Sequence, residues 1–277
     1  MGVMELSFVE PFRIASARMY NVAPGAAAAW RTLFRWLREE TGVGLEVIEH
    51  AYPQPIADLW NRTDLACTFM CGLPFARAGR KRALIAAPVP MSEGRPVYRS
   101  HFIVRSDARF ARLEDTFGHR LGWTLADSHS GYSAPRHHLL RFRDASRPRL
   151  YRSTLGGLVT PRRVIEAVRD GAVEVGPVDG YAWDLLERHA PTLTGTVRIL
   201  DSTDPAPIPP LVASEGAPQQ LVAELSAALL RIGRLEALAP LRDALRIEGF
   251  VRPDPASYDA TLGWVREAES AGYAALA

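Results

Sequence analysis

Lysine is almost missing from this chain: Lys81 stands alone among 33 lysines and arginines in 277 residues, and 31 acidic residues leave a formal net charge of only +2. A balance so near neutrality excludes a strongly basic nucleic-acid surface, and the arginine bias reads as genome composition rather than chemistry. Cysteine is scarce too. Cys67 and Cys71 lie four apart in an apolar segment with no second cysteine pair and no nearby histidine, so no zinc-ligand pattern exists. On a strand they would share a face yet stand too far apart to bridge without a bend; they read as buried thiols. No apolar run reaches the ~18 residues that span a bilayer, which excludes direct membrane insertion. The first residues, Met1-Gly-Val-Met-Glu-Leu6, lack the basic region, apolar run and small-residue cleavage site of a secretory signal. The expectation is a cytoplasmic chain, or a periplasmic one whose signal has been removed.

What is present is an ordinary globular composition, 47% hydrophobic and 23% charged with 21 glycines and 21 prolines, without repeats or low-complexity tracts. It suffices for one large domain or two lobes. The organising stretch is Trp123-Thr-Leu-Ala-Asp-Ser-His-Ser-Gly-Tyr-Ser-Ala-Pro135. An apolar strand ends here in turn and cap residues, and helix-like spacing continues from Tyr132 to Arg141, with Pro135 tolerable only near a helix start. A helix beginning between Ser128 and Ser133 would aim free N–H groups and the positive end of its dipole outward, with three serine hydroxyls beside them. The competing reading is an ordinary N-cap with surface serines.

Alternation of strands and helices predicts an α/β fold with parallel strands, whose ligand sites gather at the strands' carboxyl ends. Strands are expected at Arg13–Tyr20, Leu45–Tyr52, Leu65–Met70, Arg82–Val89, Pro96–Arg105, Arg120–Ala126, Pro148–Ser153, Val173–Val178 and Val197–Leu200. Tyr20, Asn21, Met70 and Gly72 then become cleft candidates, with Cys71 to Pro74 as a turn. Helices are expected at residues 26–40, 55–60, 160–171 and 182–189. Of these, 26–40 carries Trp30, Leu33, Phe34 and Leu37 at core spacing before Gly42, and 160–171 opens on a Thr-Pro cap and closes on Gly171. Gly42-Val-Gly44 follows a helix and lacks a third glycine, so it is no dinucleotide fingerprint. Asp204 to Pro210 is a stiff proline-rich return, and the remainder reads as helices 221–230, 232–245 and 258–271 with a loop at 250–255.

Asp127, Ser128 and His129 hold the residue types of a hydrolytic triad, but sequence neighbours point apart and cannot form the relay; no Gly-x-Ser-x-Gly elbow occurs either. His129 reads as a cap-region hydrogen-bonding side chain and His137-His138 as a partly exposed pair.

With these residues in place, the chain resembles the phosphonate/phosphate-binding family of ABC-transporter solute-binding proteins, within the transferrin-like, type II periplasmic binding fold. The resemblance rests on Tyr98-Arg-Ser100, Leu113-Glu-Asp-Thr-Phe-Gly-His-Arg120, Asp127-Ser-His-Ser-Gly-Tyr132 with Pro135-Arg136, Val164-Ile-Glu-Ala-Val168, and Val175-Gly-Pro-Val-Asp179 with Trp183, in the family's order over roughly residues 13–212. It implies two α/β lobes joined by two crossover strands, with residues 1–99 and 204–277 in lobe 1 and 100–203 in lobe 2. It further implies that a helix start like Ser128-His129-Ser130-Gly131-Tyr132 grips phosphonate oxygens, a tyrosine like Tyr98 donates a hydroxyl, an acid like Asp179 receives an amino group, and Tyr20 lines the cleft. One departure stands out. The family often carries Gly-Ser-His or Gly-Gly-His before the helix that here starts at Thr160, whereas this chain reads Gly156-Gly-Leu-Val-Thr-Pro161; Thr160 takes the histidine's place.

The resulting expectation is a non-catalytic binder of a small anionic ligand of the phosphonate, phosphate or phosphite class, presenting it to a transporter permease without cofactor, metal or nucleic acid. The alternative is a cytoplasmic enzyme or sensor of the same fold, since fold alone does not fix function; an Asp127–His129 pair would be its acid and base.

Overall fold

Short apolar strands and amphipathic helices sort into two sheets in the computed structural model, which describes residues 12–79 and 81–276; Met1–Leu6 lie outside the described residues. In chain order the elements are β1 (Ile14–Ser16), α1 (Pro24–Thr41), β2 (Glu46–Val47), α2 (Ile56–Trp60), β3 (Leu65–Phe69), α3 (Gly72–Arg77), β4 (Ala83–Pro90), β5 (Val97–Tyr98) and β6 (Ser100–Arg105). There follow β7 (Arg120–Gly122), α4 (Ala134–Leu139), β8 (Ser153–Leu155), α5 (Pro161–Arg169), β9 (Val175–Asp179), α6 (Gly180–His189), α7 (Pro191–Thr194) and β10 (Val197–Ser202). The chain closes with β11 (Ala206–Pro207), β12 (Leu211–Ala213), α8 (Gln219–Arg231), α9 (Ala239–Leu245), β13 (Ile247–Val251) and α10 (Asp259–Ser270).

The first sheet has the order β13-β4-β12-β3-β1-β2 and the second β10-β6-β9-β7-β8. Each repeats one plan. Three strands run parallel, β2-β1-β3 in one lobe and β8-β7-β9 in the other. Beside them lies, antiparallel, the strand that has just arrived from the opposite lobe: β12 between β3 and β4, β6 between β9 and β10. The two crossings pair with each other, Tyr98 opposite Ala206 and Val97 opposite Pro207. This is the two-lobed type II arrangement, and it sets the carboxyl ends of β1 and β3 facing those of β7 and β9.

Local chemistry explains the helices that frame the cleft. Pro24 opens α1, Gly42 closes it at φ 72°, and Trp30, Leu33, Phe34 and Leu37 form its buried stripe. Trp30 meets Phe69 of β3 edge-on at 4.9 Å, an aromatic contact worth ~1 kcal/mol beyond its area. On α5, the Thr160 hydroxyl accepts from the Arg163 amide at 3.3 Å and Val164, Ile165 and Val168 are buried. The lobes touch through aromatics. Tyr20 of lobe 1 packs edge-on against Tyr181 of lobe 2 at 4.7 Å, and the Tyr181 hydroxyl donates to the Leu245 carbonyl at 2.7 Å.

Several expectations are corrected. The first strand stops at Ser16, because the chain turns with the Tyr20 amide on the Ala17 carbonyl at 2.8 Å. The second is reduced to Glu46–Val47, both exposed at the sheet edge. Cys71 to Pro74 start α3 rather than a turn. The long strand from Pro96 divides at Arg99, so Tyr98 belongs to a crossing strand and Ser100 to lobe 2. The strand through Ala126 stops at Gly122, and the one sought at 148–153 lies at Ser153–Leu155. Helix 232–245 breaks into 3₁₀ turns before α9, and the first two residues of the loop sought at 250–255 are the end of β13, which pairs with β4. Cys67 and Cys71 are indeed free and buried.

Candidate functional site

Beyond β7 the chain reaches its cap at Ser128, whose Oγ accepts from the Gly131 amide at 3.0 Å. The first helical turn, His129–Ser133, is of the wide π type and runs into α4 without a break. Its hydrogen bonds reach back five residues, Ser133 N–H to the Ser128 carbonyl at 3.1 Å. The amides of Ser130 and Tyr132 therefore have no acceptor within the helix, and the dipole adds positive potential there. Glycine at 131 is required by a close approach: an added Cβ would lie 1.8 Å from Thr124 Oγ1. That hydroxyl is buried without a hydrogen-bond partner.

Ser128, Ser130, Gly131 and Thr124 open on a chamber of about 80 Å³ between the lobes, with Cys71, Asp179, Arg18 and Thr160 on its other walls. A single water needs only ~10–15 Å³ by the same measure, so a group of several heavy atoms fits. Asp179 ends β9 and caps α6, accepting from the Ala182 amide at 2.9 Å and from the Ser130 hydroxyl at 3.1 Å. No cation pairs with it among the described residues. Burial pushes its carboxyl up to about 7, and the hydrogen bonds from Ala182 and Ser130 only partly oppose that.

The Tyr20 and Tyr98 hydroxyls gather around Asp179, each raised well above the usual phenol range, first by burial and then by neighbouring negative charge. Neither finds a well-formed hydrogen bond, although Tyr98 lies beside Ser130. The Cys71 thiol is pushed up to about 11 by burial, so it stays protonated and unreactive.

Thr160 faces this chamber from the start of α5, and the residue before it is strained. Val159 has φ 65°, a conformation that a β-branched side chain rarely adopts. It is pinned by its amide on the Thr124 carbonyl at 3.3 Å and by the Leu158 amide on the Trp123 carbonyl at 3.2 Å. The segment that departs from the family pattern is thus stitched to the same loop that carries the helix start.

Outside lies a larger chamber of about 780 Å³, which shares Arg18, Met19, Thr160 and Pro161 with the inner one. Tyr52 of lobe 1 and Arg163 of lobe 2 meet at its rim, guanidinium to hydroxyl at 2.7 Å and over the ring at 4.7 Å.

Of the nine residues expected at the site, Ser128, Ser130, Gly131, Thr160 and Asp179 line the inner chamber. Tyr20 and Tyr98 are buried next to Asp179 without opening on the chamber. His129 and Tyr132 turn elsewhere. The His129 ring is buried beside Trp264 of α10 at 5.2 Å with neither nitrogen hydrogen-bonded, which replaces the expected cap-region bond and holds its pKa down to about 3. Tyr132 accepts from the Leu276 amide at 3.2 Å and packs edge-on against Trp123. His138, expected to be partly exposed, is buried against Asp201 at 2.9 Å. Met70 and Gly72 face the α10 side, while Cys71 between them lines the chamber and Asn21 lines the outer one. Sequence reading missed Arg18, Thr124 and Val159. Thr124 alone carried a signal, as a hydroxyl inside the organising stretch.

Comparison with known proteins shows the family. A family model described as ABC transporter, phosphonate, periplasmic substrate-binding protein matches residues 23–258. No curated protein sequence matches the chain. Among solved structures, the chain is similar to a binding protein component of an ABC phosphonate transporter from Pseudomonas aeruginosa, at 16% identity and a TM-score of 0.78 over 94% of this chain and 88% of that one. It is also similar to PhnD1 from Prochlorococcus marinus in complex with methylphosphonate, at 15% identity and 0.76 over 93% and 98%. A third, XAC2383 from Xanthomonas citri bound to ATP, aligns at 20% identity and 0.61 over 94% and 98%. The chain belongs to the family of periplasmic substrate-binding proteins of ABC phosphonate transporters, and its role is that of a non-catalytic solute-binding protein.

Proposed function

We propose that this protein closes its lobes over a phosphonate, phosphate or phosphite group held at the start of the 129–142 helical segment. The observation that carries the reading is the helix start itself, whose Ser128, Ser130 and Gly131 line a chamber between the lobes together with Thr124, a hydroxyl buried there without a partner. Charge-assisted hydrogen bonds from amides and hydroxyls suit a tetrahedral oxyanion. Thr160 adds a hydroxyl at the head of α5, Tyr20 and Tyr98 back the chamber, and Asp179 receives a hydrogen bond from a protonated oxygen of the bound group. The lobes divide at 99/100, just after β5, and at 203/204, just before β11, so that closure is a rotation about the paired crossings. The loaded protein works in the periplasm and presents its ligand to a transporter permease; among the described residues no helix is long and apolar enough to cross a membrane. Asp127 is exposed while the His129 ring is buried against Trp264, so the two do not form the acid/base pair that turnover would need.

Titration calorimetry against methylphosphonate, 2-aminoethylphosphonate, phosphate, phosphite and acetate tests this. The phosphorus oxyanions are expected to bind and acetate to bind far more weakly. Removing two hydroxyls that hydrogen-bond a charged group, in Ser128→Ala with Ser130→Ala, is expected to weaken binding about 100-fold or more, at ~1.5–3 kcal/mol each. Unchanged affinity in that double variant would remove the site.

A further inference from the structure

The walls common to the two chambers form a neck of four residues, Arg18, Met19, Thr160 and Pro161. A ligand whose oxyanion occupies the inner chamber can send the rest of itself out through that neck. Arg18 is its only charged member.

The charges around the outer chamber are unevenly matched. Of its four guanidiniums, Arg31 pairs with Glu49 at 3.0 Å and Arg162 with Glu166 at 3.0 Å, which uses both carboxylates of the chamber. Arg163 is held by Tyr52. Arg18 has no carboxylate and no side-chain hydrogen bond among the described residues, and its Nε is buried without an acceptor. Burial lowers its pKa, with no carboxylate to oppose that effect. A half-buried guanidinium whose Nε has lost water without gaining an acceptor is left unsatisfied, and a bidentate acid is its natural complement.

We propose that the natural ligand carries a second acidic group, a carboxylate or a second phosphoryl, and that Arg18 is the specificity residue that receives it in the neck. This rests on the oxyanion site proposed above, and deepens it from a headgroup to a class of doubly acidic organophosphorus compounds. A methyl substituent leaves Arg18 unpaired. A substituent ending in an ammonium would bring like charge to the neck.

The test compares 3-phosphonopropionate, phosphonoacetate and methylphosphonate by calorimetry on the full chain, for the parent, Arg18→Gln and Arg18→Lys. In the parent, at least one phosphonocarboxylate is expected to bind ~10-fold or more tighter than methylphosphonate, in line with a charge-assisted pair. Arg18→Gln should erase that preference and leave methylphosphonate within about threefold, which also shows that the variant is folded; Arg18→Lys should restore part of it. Equal affinities in the parent would overturn the inference while sparing the oxyanion site. So would an Arg18→Gln variant that loses methylphosphonate as strongly as the phosphonocarboxylates, since Arg18 would then hold the headgroup. Failure of all three compounds to bind the parent would overturn the oxyanion site itself, and this inference with it.

Discussion

In phosphate-free buffer, an Asp179→Asn variant is expected to melt above the parent at about pH 8 and to lose most of that advantage at about pH 5. In an unfolded chain this carboxyl would release its proton near pH ~3.9, whereas in the folded protein burial raises that point to about 7. Between these values the folded state holds a proton that the unfolded state has released. The contribution of the group to stability is therefore complete below the lower value and is lost as pH rises through the upper one, by ~1.4 kcal/mol for each pH unit that separates the two. A separation of about three pH units gives ~4 kcal/mol at most by pH 8. Asparagine is uncharged, caps a helix as well as aspartate does, and keeps a carbonyl for the Ala182 amide. Asp184, raised to about 6 chiefly by burial, acts in the same direction. His129 and His101, held down to about 3 and about 4 by burial, act in the opposite one, with stability lost as pH falls below their ordinary range. The informative quantity is therefore the difference in melting temperature between variant and parent at each pH. An equal difference at both pH values would mean that Asp179 is not a buried, unpaired acid.

The second large effect is expected at Gly131. A Cβ there would stand 1.8 Å from Thr124 Oγ1, 2.9 Å from Thr124 Cβ and 3.0 Å from Ser128 Oγ, so Gly131→Ala forces the helix start away from the loop behind it. Such overpacking costs ~1–3 kcal/mol in stability. A displacement on the order of 1 Å in a fixed constellation is worth ~100-fold in its function. Calorimetry should show methylphosphonate binding weakened by about that factor in a variant that still unfolds cooperatively. Thr124→Ala in the same chain removes the nearest atom and should recover part of the loss, because the two side positions share one contact. Parent-like affinity in Gly131→Ala would show that the ligand does not rest on this turn.

Features fixed by local chemistry were legible in the sequence. The Ser128 and Thr160 caps, the Pro24 to Gly42 limits of α1 and the burial of the two cysteines each depend on residues a few positions apart. The topology followed from the resemblance and not from periodicity. What stayed hidden depended on distant partners. β13 is short, follows a helix directly through Arg246 at φ 54°, and is interrupted at Gly249 by a change of register, so its alternation is erased; only pairing with β4 makes it a strand. His138 is buried because Asp201, 63 residues away, reaches it, and His129 because Trp264 of the last helix covers it. Arg18 was obscured differently. A strand running on to Tyr20 would have made it one of many arginines along an edge, whereas the early turn after Ser16 swings it into the neck between the chambers.

The most direct test of the oxyanion site is diffraction from crystals grown with methylphosphonate. The phosphonate is expected in the inner chamber, its oxygens at about 2.7–3.2 Å from the amides of Ser130 and Tyr132 and from the hydroxyls of Ser128, Ser130 or Thr124. A phosphonate bound instead among the outer arginines, with the Ser128 to Tyr132 turn untouched, would contradict it.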